Sequence, residues 1–155
     1  MAFMPNRDIW RRIGLSFNRS ACGVRGIPYF YIVGHRGAAG LAPENTIPSF
    51  SIALKFGVDF VEFDVRSTKD GIPVVIHGAS VNRTTDGIGM VCEYTLARIK
   101  GLDAGSWFSK EFAGVRIPTL DEALNFIRER NGLAIVEIKD ARIERSVLES
   151  IENSR

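Results

Sequence analysis

The stretch Val61–Gly71, VEFDVRSTKDG, sets Glu62 and Asp64 one residue apart inside an otherwise apolar run. Side chains alternate across a strand, so Val61, Phe63 and Val65 share one face and the two carboxylates share the other. A second run, LAIVEIKD, carries Glu137 and Lys139 at the same spacing. The chain's two histidines, His35 and His77, close the apolar runs YFYIVGH and IPVVIH, and Arg36 follows the first. Glu62, Asp64 and Glu137 brought to one small volume would repel one another and resist desolvation. A hard divalent cation resolves that conflict, with the three as oxygen ligands. Neutralisation by Arg36, Arg66 and Lys139 resolves it without an ion, and the E-x-D spacing alone does not choose. Histidine titrates near neutrality, so one imidazole can take a proton from a nucleophile while the other protonates a leaving group. Arg36 suits an anionic phosphate oxygen. Together these residue types point to cleavage of a phosphoryl ester.

Such residues need a frame that brings them together. From Pro28 onward, strand-like and helix-like segments alternate with no linker between them. The strands are expected at Tyr29–His35, DFVEFDV, IPVVIH and Leu133–Asp140. Asn45 or Thr46 caps a first helix, with Pro48 in its first turn, Ile47, Phe50 and Leu54 on one stripe, and Gly57 at its close. A short helix falls around Thr95–Ile99 inside a long connection. Thr119 and Glu122 form a capping box ahead of the stripe Leu120, Ala123, Leu124 and Ile127, and Gly132 ends that helix. IERSVLESIENSR begins a last one.

Near-continuous apolar strands alternating with helices imply parallel pairing under a helical layer. GHRGAAG is not the G-x-G-x-x-G fingerprint of an open dinucleotide-binding sheet, which favours a barrel. A (β/α) barrel places its chemistry at the C-terminal ends of its strands. His35, Glu62, Asp64, His77, Glu137 and Lys139 all lie late in theirs. Parity pairs Val33 with His35, Val75 with His77, and Ile135 with Glu137 and Lys139, each set facing the interior. The expected fold is α/β, a TIM-like (β/α) barrel of which this chain holds about the first four βα units.

At 155 residues, 45% hydrophobic and 25% charged, the chain has the make-up of one soluble globular domain. A net charge of +2 with scattered basic residues argues against nucleic acid as a partner. Cys22 and Cys92 are too few for a disulfide framework, and reduced thiols fit a cytoplasmic protein. Residues 1–27 form a basic extension without the apolar core of a secretory signal. As a helix it would group Ile9, Trp10, Ile13 and Phe17, which favours cover for one end of the domain at 28–155 over membrane contact or a transit peptide.

In order along the chain, GHRGAAGLAPENTIPSF, DFVEFDVRSTKDGIPVVIH, NRTTDG, LDAGSWFSKEFAGVRIPTLDEAL and VEIK resemble the motifs of the glycerophosphodiester phosphodiesterase family. That resemblance implies a TIM-like barrel hydrolysing glycerophosphodiesters, small deacylated phospholipid headgroups, to glycerol 3-phosphate and an alcohol. It implies His35 and His77 as general base and acid, and Glu62, Asp64 and Glu137 as ligands of one divalent cation, Mg²⁺ or Ca²⁺. Arg36 and Lys139 would hold the phosphate, and Glu44 of PENT would support the site from behind those ligands. In the family mechanism the adjacent glycerol hydroxyl attacks phosphorus, giving a cyclic phosphate that water opens. Trp107 and Phe108 fit packing or a hydrophobic wall, and Phe108 is the one assigned to substrate. NRTTDG reads as a structural turn.

Two features depart from the family pattern. Gly78 stands where the family usually has Asp after the second histidine. A complete barrel takes roughly 200 residues or more, so half of one would expose strand edges and pair as a homo-oligomer or with a complementary half-barrel chain. The alternative function is a catalytically impaired half-barrel acting as a binding or assembly module. A phospholipase D-type lipid enzyme of the same barrel group is a more distant reading.

Overall fold

In a computed structural model, which describes residues 31–141 and 143–154, the sheet is built on one long strand, β2 (Phe60–Ser67). The expectations for residues 1–27, and for the first residues of the opening strand, lie outside the described residues. β1 (Val33–His35) runs parallel to β2 with His35 opposite Glu62. β4 (Ala134–Ile138) also runs parallel, with Glu137 opposite Asp64 and Ile135 opposite Glu62. Residues in register on neighbouring strands face the same way, so His35, Glu62, Asp64 and Glu137 share one face of the sheet.

The third strand, β3 (Pro73–Val75), runs antiparallel to β2, with Val75 opposite Val65. This corrects the expectation of four parallel strands. The connection is a tight turn in which the Thr68 amide donates to the Ile72 carbonyl at 3.0 Å. A parallel return needs a crossover of about a dozen residues or more. The register also corrects the parity argument for His77. Val75 packs with Val65 in the core beneath the helices, so alternation does not turn His77 inward. His77 lies beyond the end of β3 and reaches the site from there. Val61 and Glu62 pair with both β1 and β4, while Val65 pairs with both β3 and β4. β1 and β3 therefore follow one another along one edge of β2, and β4 lines the other. The α/β, TIM-like architecture stands, with three parallel strands and a hairpin strand in place of four βα units.

The helices form where periodicity places them, although Thr46, at the N-cap of the first, makes no side-chain cap bond. α1 (Ile47–Lys55) has Pro48 in its first turn and buries Ser49, Phe50 and Ala53. α2 (Leu96–Ile99) is a single turn in the long connection. α3 (Leu120–Arg128) begins with the capping box, Thr119 Oγ1 accepting from the Glu122 amide at 3.2 Å and Glu122 Oε2 from the Thr119 amide at 2.9 Å. Asn131, at φ 54°, takes the left-handed position after it rather than Gly132. α4 (Glu144–Asn153) buries Val147. Phe50, Phe63, Val65, Val75, Leu120, Ile127 and Val147 meet in the main core between sheet and helices. A second cluster, including Val74, Ile76, Val81, Val91 and Ile99, holds the long connection together. Among the described residues no helix is long and apolar enough to cross a membrane.

Candidate active site

The loop after β1 is bent so that it crosses the sheet face carrying the acids. Arg36 adopts φ 56° and Gly37 φ 80°. A Cβ at Gly37 would lie 2.2 Å from Ser49 Oγ and 2.8 Å from the Ser49 carbonyl carbon, so only glycine lets the loop approach α1 this closely. Ser49 Oγ donates to the Arg36 carbonyl at 2.8 Å, and the Arg36 amide donates to Glu62 Oε2 at 2.9 Å. A left-handed arginine is strained backbone of the kind that collects at functional sites. Its guanidinium comes to 3.3 Å of Asp64 Oδ2 and 3.0 Å of Glu44 Oε1.

Asp64 is fully buried at the centre of this arrangement. Asn45, itself at φ 58°, donates from Nδ2 to Asp64 Oδ2 at 2.9 Å and accepts the Asp64 amide at 3.2 Å. Lys139 Nζ lies 3.0 Å from Asp64 Oδ1 and 2.5 Å from Glu137 Oε1. Burial pushes the Asp64 carboxyl up, but the hydrogen bond from Asn45 and the ammonium of Lys139 outweigh it and hold it below its ordinary value. Lys139 is held above its ordinary value, first by its hydrogen bond to Glu137 and then by Asp64.

His35 stands at the rim with Nε2 3.9 Å from Glu62 Oε2. His77 is half-buried. Burial lowers its basicity, Asp64 raises it, and Arg36, Lys139 and Arg83 lower it again, leaving it below the ordinary histidine value. Glu44 is bound on both oxygens by arginines: Arg83 donates to Oε2 at 2.8 Å and to Oε1 at 2.6 Å, and Arg36 shares Oε1. Burial raises the Glu44 carboxyl, and the two arginines bring it below its usual range. Phe108 stands edge-on between Trp107 and Phe112, with ring centroids 5.7 Å away in each case.

Glu62, Asp64 and Glu137 each bring an oxygen within 4.8 Å of the others'. A hard cation takes oxygen ligands at about 2.0–2.6 Å, so three oxygens at this separation can share one ion. Asp64 Oδ1 is buried and faces the Lys139 ammonium at 3.0 Å. The donor set therefore fits a divalent cation. Lys139 and Arg36 partly neutralise the same carboxylates, so both resolutions foreseen for the acid cluster meet at Asp64.

The sequence patterns assigned neither Asn45 nor Arg83 to the site. Asn45 sits in APENTIP, where an asparagine before a helix reads as a cap. Its amide turns instead to Asp64. Arg83, inside NRTTDG, carried no signal beyond its charge. In the turn, Thr85 Oγ1 donates to the Val81 carbonyl at 2.8 Å and accepts the Gly87 amide at 3.0 Å, but Gly87 does not supply the positive φ expected of a glycine there.

Acids, histidine, lysine and arginine gathered at the C-terminal ends of parallel strands define the class first: this is part of a (β/α)-barrel fold. The profile of the glycerophosphoryl diester phosphodiesterase family matches residues 35–154, and the chain belongs to that family. It is 49% identical over 108 residues to a glycerophosphodiester phosphodiesterase of Caldanaerobacter subterraneus subsp. tengcongensis, covering 70% of this chain and 44% of that protein. Among solved structures it resembles the glycerophosphodiester phosphodiesterase of Agrobacterium tumefaciens, with a TM-score of 0.77 and 38% identity over 81% of this chain and 54% of that one. It also resembles an Oleispira antarctica phosphodiesterase solved with its product sn-glycerol-3-phosphate, with a TM-score of 0.74 and 38% identity over 81% of this chain and 51% of that one. The chain spans about half the length of these relatives.

Proposed function

We propose that the protein catalyses metal-dependent hydrolysis of glycerophosphodiesters to glycerol 3-phosphate and an alcohol. The observation that carries this reading is the convergence of Glu62, Asp64 and Glu137 within 4.8 Å on the face that also bears His35. These carboxylates would hold one Mg²⁺ or Ca²⁺ ion, which supplies charge neutralisation for the phosphodiester and its leaving oxygen. Arg36 and Lys139 orient the phosphate from either side of Asp64. His35 and His77 form the acid–base pair. One removes the proton from the glycerol hydroxyl that attacks phosphorus, and the other protonates the departing alcohol oxygen. The resulting cyclic phosphate is opened by water with the roles of the pair reversed. Glu44 fixes Arg36 from behind and touches neither ion nor substrate.

The test is direct. Purified protein supplied with glycerophosphocholine and Mg²⁺ is expected to release glycerol 3-phosphate, and a chelator is expected to stop it. A folded, metal-loaded sample that binds the diester without turnover would overturn the hydrolase reading in favour of a binding module.

A further inference from the structure

Arg66 lies two residues beyond Asp64 and so on the same face of β2, yet the proposed chemistry gives it no contact with ion or substrate. It is largely enclosed, with 17% of its side chain exposed. Its Nε donates to the carbonyl of His77 at 2.9 Å. Its Nη1 pairs with Asp140 Oδ1, and Asp140 Oδ2 accepts the Ser67 amide at 2.9 Å. Asp140 directly follows Lys139, whose own amide donates to the Val65 carbonyl at 3.0 Å. One guanidinium thus ties together the end of β2, the segment leaving β3 and the segment leaving β4. His77 needs such a tether because it stands past the last paired residue of β3.

We propose that Arg66, locked by Asp140, is a positioning residue that sets His77 and Lys139 against the carboxylate cluster for phosphodiester cleavage. The inference rests on the reading that His77 belongs to the acid–base pair. Arginine is required because its planar fork reaches a carbonyl through Nε and a carboxylate through Nη1 at once. A lysine keeps the charge but offers one compact ammonium, which cannot span both acceptors.

The chain has two histidines, so histidine-selective isotope labelling gives two assignable imidazoles by NMR, and His35 serves as the internal control. In Arg66→Lys the His77 resonances are expected to shift and broaden while those of His35 stay in place. kcat for glycerophosphocholine is expected to fall about 10- to 100-fold, the scale of a misplaced reacting group, with KM little changed. Asp140→Asn is expected to move His77 in the same direction and by less. Arg66→Met, which removes the tether altogether, should exceed both. Unmoved His77 signals in Arg66→Lys, or equal displacement of His35 and His77, overturn the inference whatever the turnover. Absence of turnover in the unsubstituted protein overturns the hydrolase reading, and a selectively displaced His77 then still establishes the tether.

Discussion

Asp64 is tolerated as a buried carboxylate because its neighbours are chosen for it. Asn45 holds Oδ2, Arg36 stands 3.3 Å from the same oxygen, and Lys139 faces Oδ1. Groups that orient a metal ligand typically change metal affinity 10- to 100-fold when removed. Asn45→Ala is therefore expected to weaken Mg²⁺ binding by about that factor in a calorimetric titration. It should also destabilise the fold by roughly 1–3 kcal/mol, because the buried Asp64 amide loses its acceptor. Unchanged Mg²⁺ affinity would mean that Asp64 does not ligate. Glu44→Gln probes the opposite case. Both Glu44 oxygens are occupied by arginines, so the expected outcome is intact Mg²⁺ affinity with a raised KM for the diester, as Arg36 loses its anchor. A loss of metal binding in that variant would place Glu44 among the ligands. That the three acids share a face was legible, because E-x-D and E-x-K on strands point their charged residues the same way; whether an ion or the neighbouring cations balance them was not. Nor was Asn45, because its inward turn depends on a left-handed backbone that composition does not reveal.

At the scale of elements, the tightest constraint is the approach of the Arg36–Gly37 loop to α1. Gly37→Ala puts a methyl group into Ser49 while also demanding positive φ, and a loss of more than about 2 kcal/mol is expected in chemical denaturation. Gly78 offers a second test of how the loops are built. A Cβ there would meet the Ser80 carbonyl oxygen at 2.8 Å. Gly78→Asp, the residue usual in the family, is therefore expected to lower stability rather than raise activity, as read by paired melting and turnover measurements. The long connection has its own knot at Asp103. Its Oδ2 accepts from Ser106 Oγ at 2.7 Å and the Gly114 amide at 2.8 Å, and its Oδ1 from the amides of Gly105 and Ser106. These donors, Ser106 first, hold the carboxyl well below its ordinary value of 3.8. A depressed folded pKa means the stabilisation is complete above the unfolded value and drains away as the pH falls through the folded one. Amide protection factors in this connection, corrected for the intrinsic exchange rate, are expected to fall below about pH 4, and Asp103→Asn should remove that fall. The helices and β2 could be foreseen because caps and periodicity are local. The direction of β3 was also written in the sequence, in the shortness of STKDGI, but the habit of βαβ alternation concealed it. The path of the 80–118 connection was not, since it depends on carboxylates accepting distant backbone amides, Asp86 Oδ1 that of Asp103 and Asp103 Oδ2 that of Gly114.

The whole molecule presents a sheet whose inner face is only partly furnished. In a closed barrel, interior side chains from all strands fill the centre. Here Val33 and Ile135, on the same face as His35 and Glu62, are 43% and 41% exposed. Among the described residues β4 pairs with β2 alone, so its far edge carries free backbone donors and acceptors beside the exposed Ile138. An unpaired edge next to an apolar face is a template for another strand. We propose that this surface favours association, of this chain with itself or with a chain supplying further strands. Sedimentation of the purified chain is expected to show a mass that rises with concentration, and a hydrophobic dye should bind and be displaced as assembly proceeds. Ile135→Lys places a charge at a residue that, among the described residues, belongs to neither core cluster. It should weaken association while leaving the thermal transition of the monomer nearly unchanged, since the residue contributes little to the main core. A strictly monomeric chain that binds no dye would show that the face is stable in water as it stands, and the case for completion by further strands would fail. The same variant links assembly to chemistry. If association forms the wall opposite β2, turnover by the unsubstituted chain should rise with protein concentration faster than linearly, and Ile135→Lys should restore strict proportionality at a lower level.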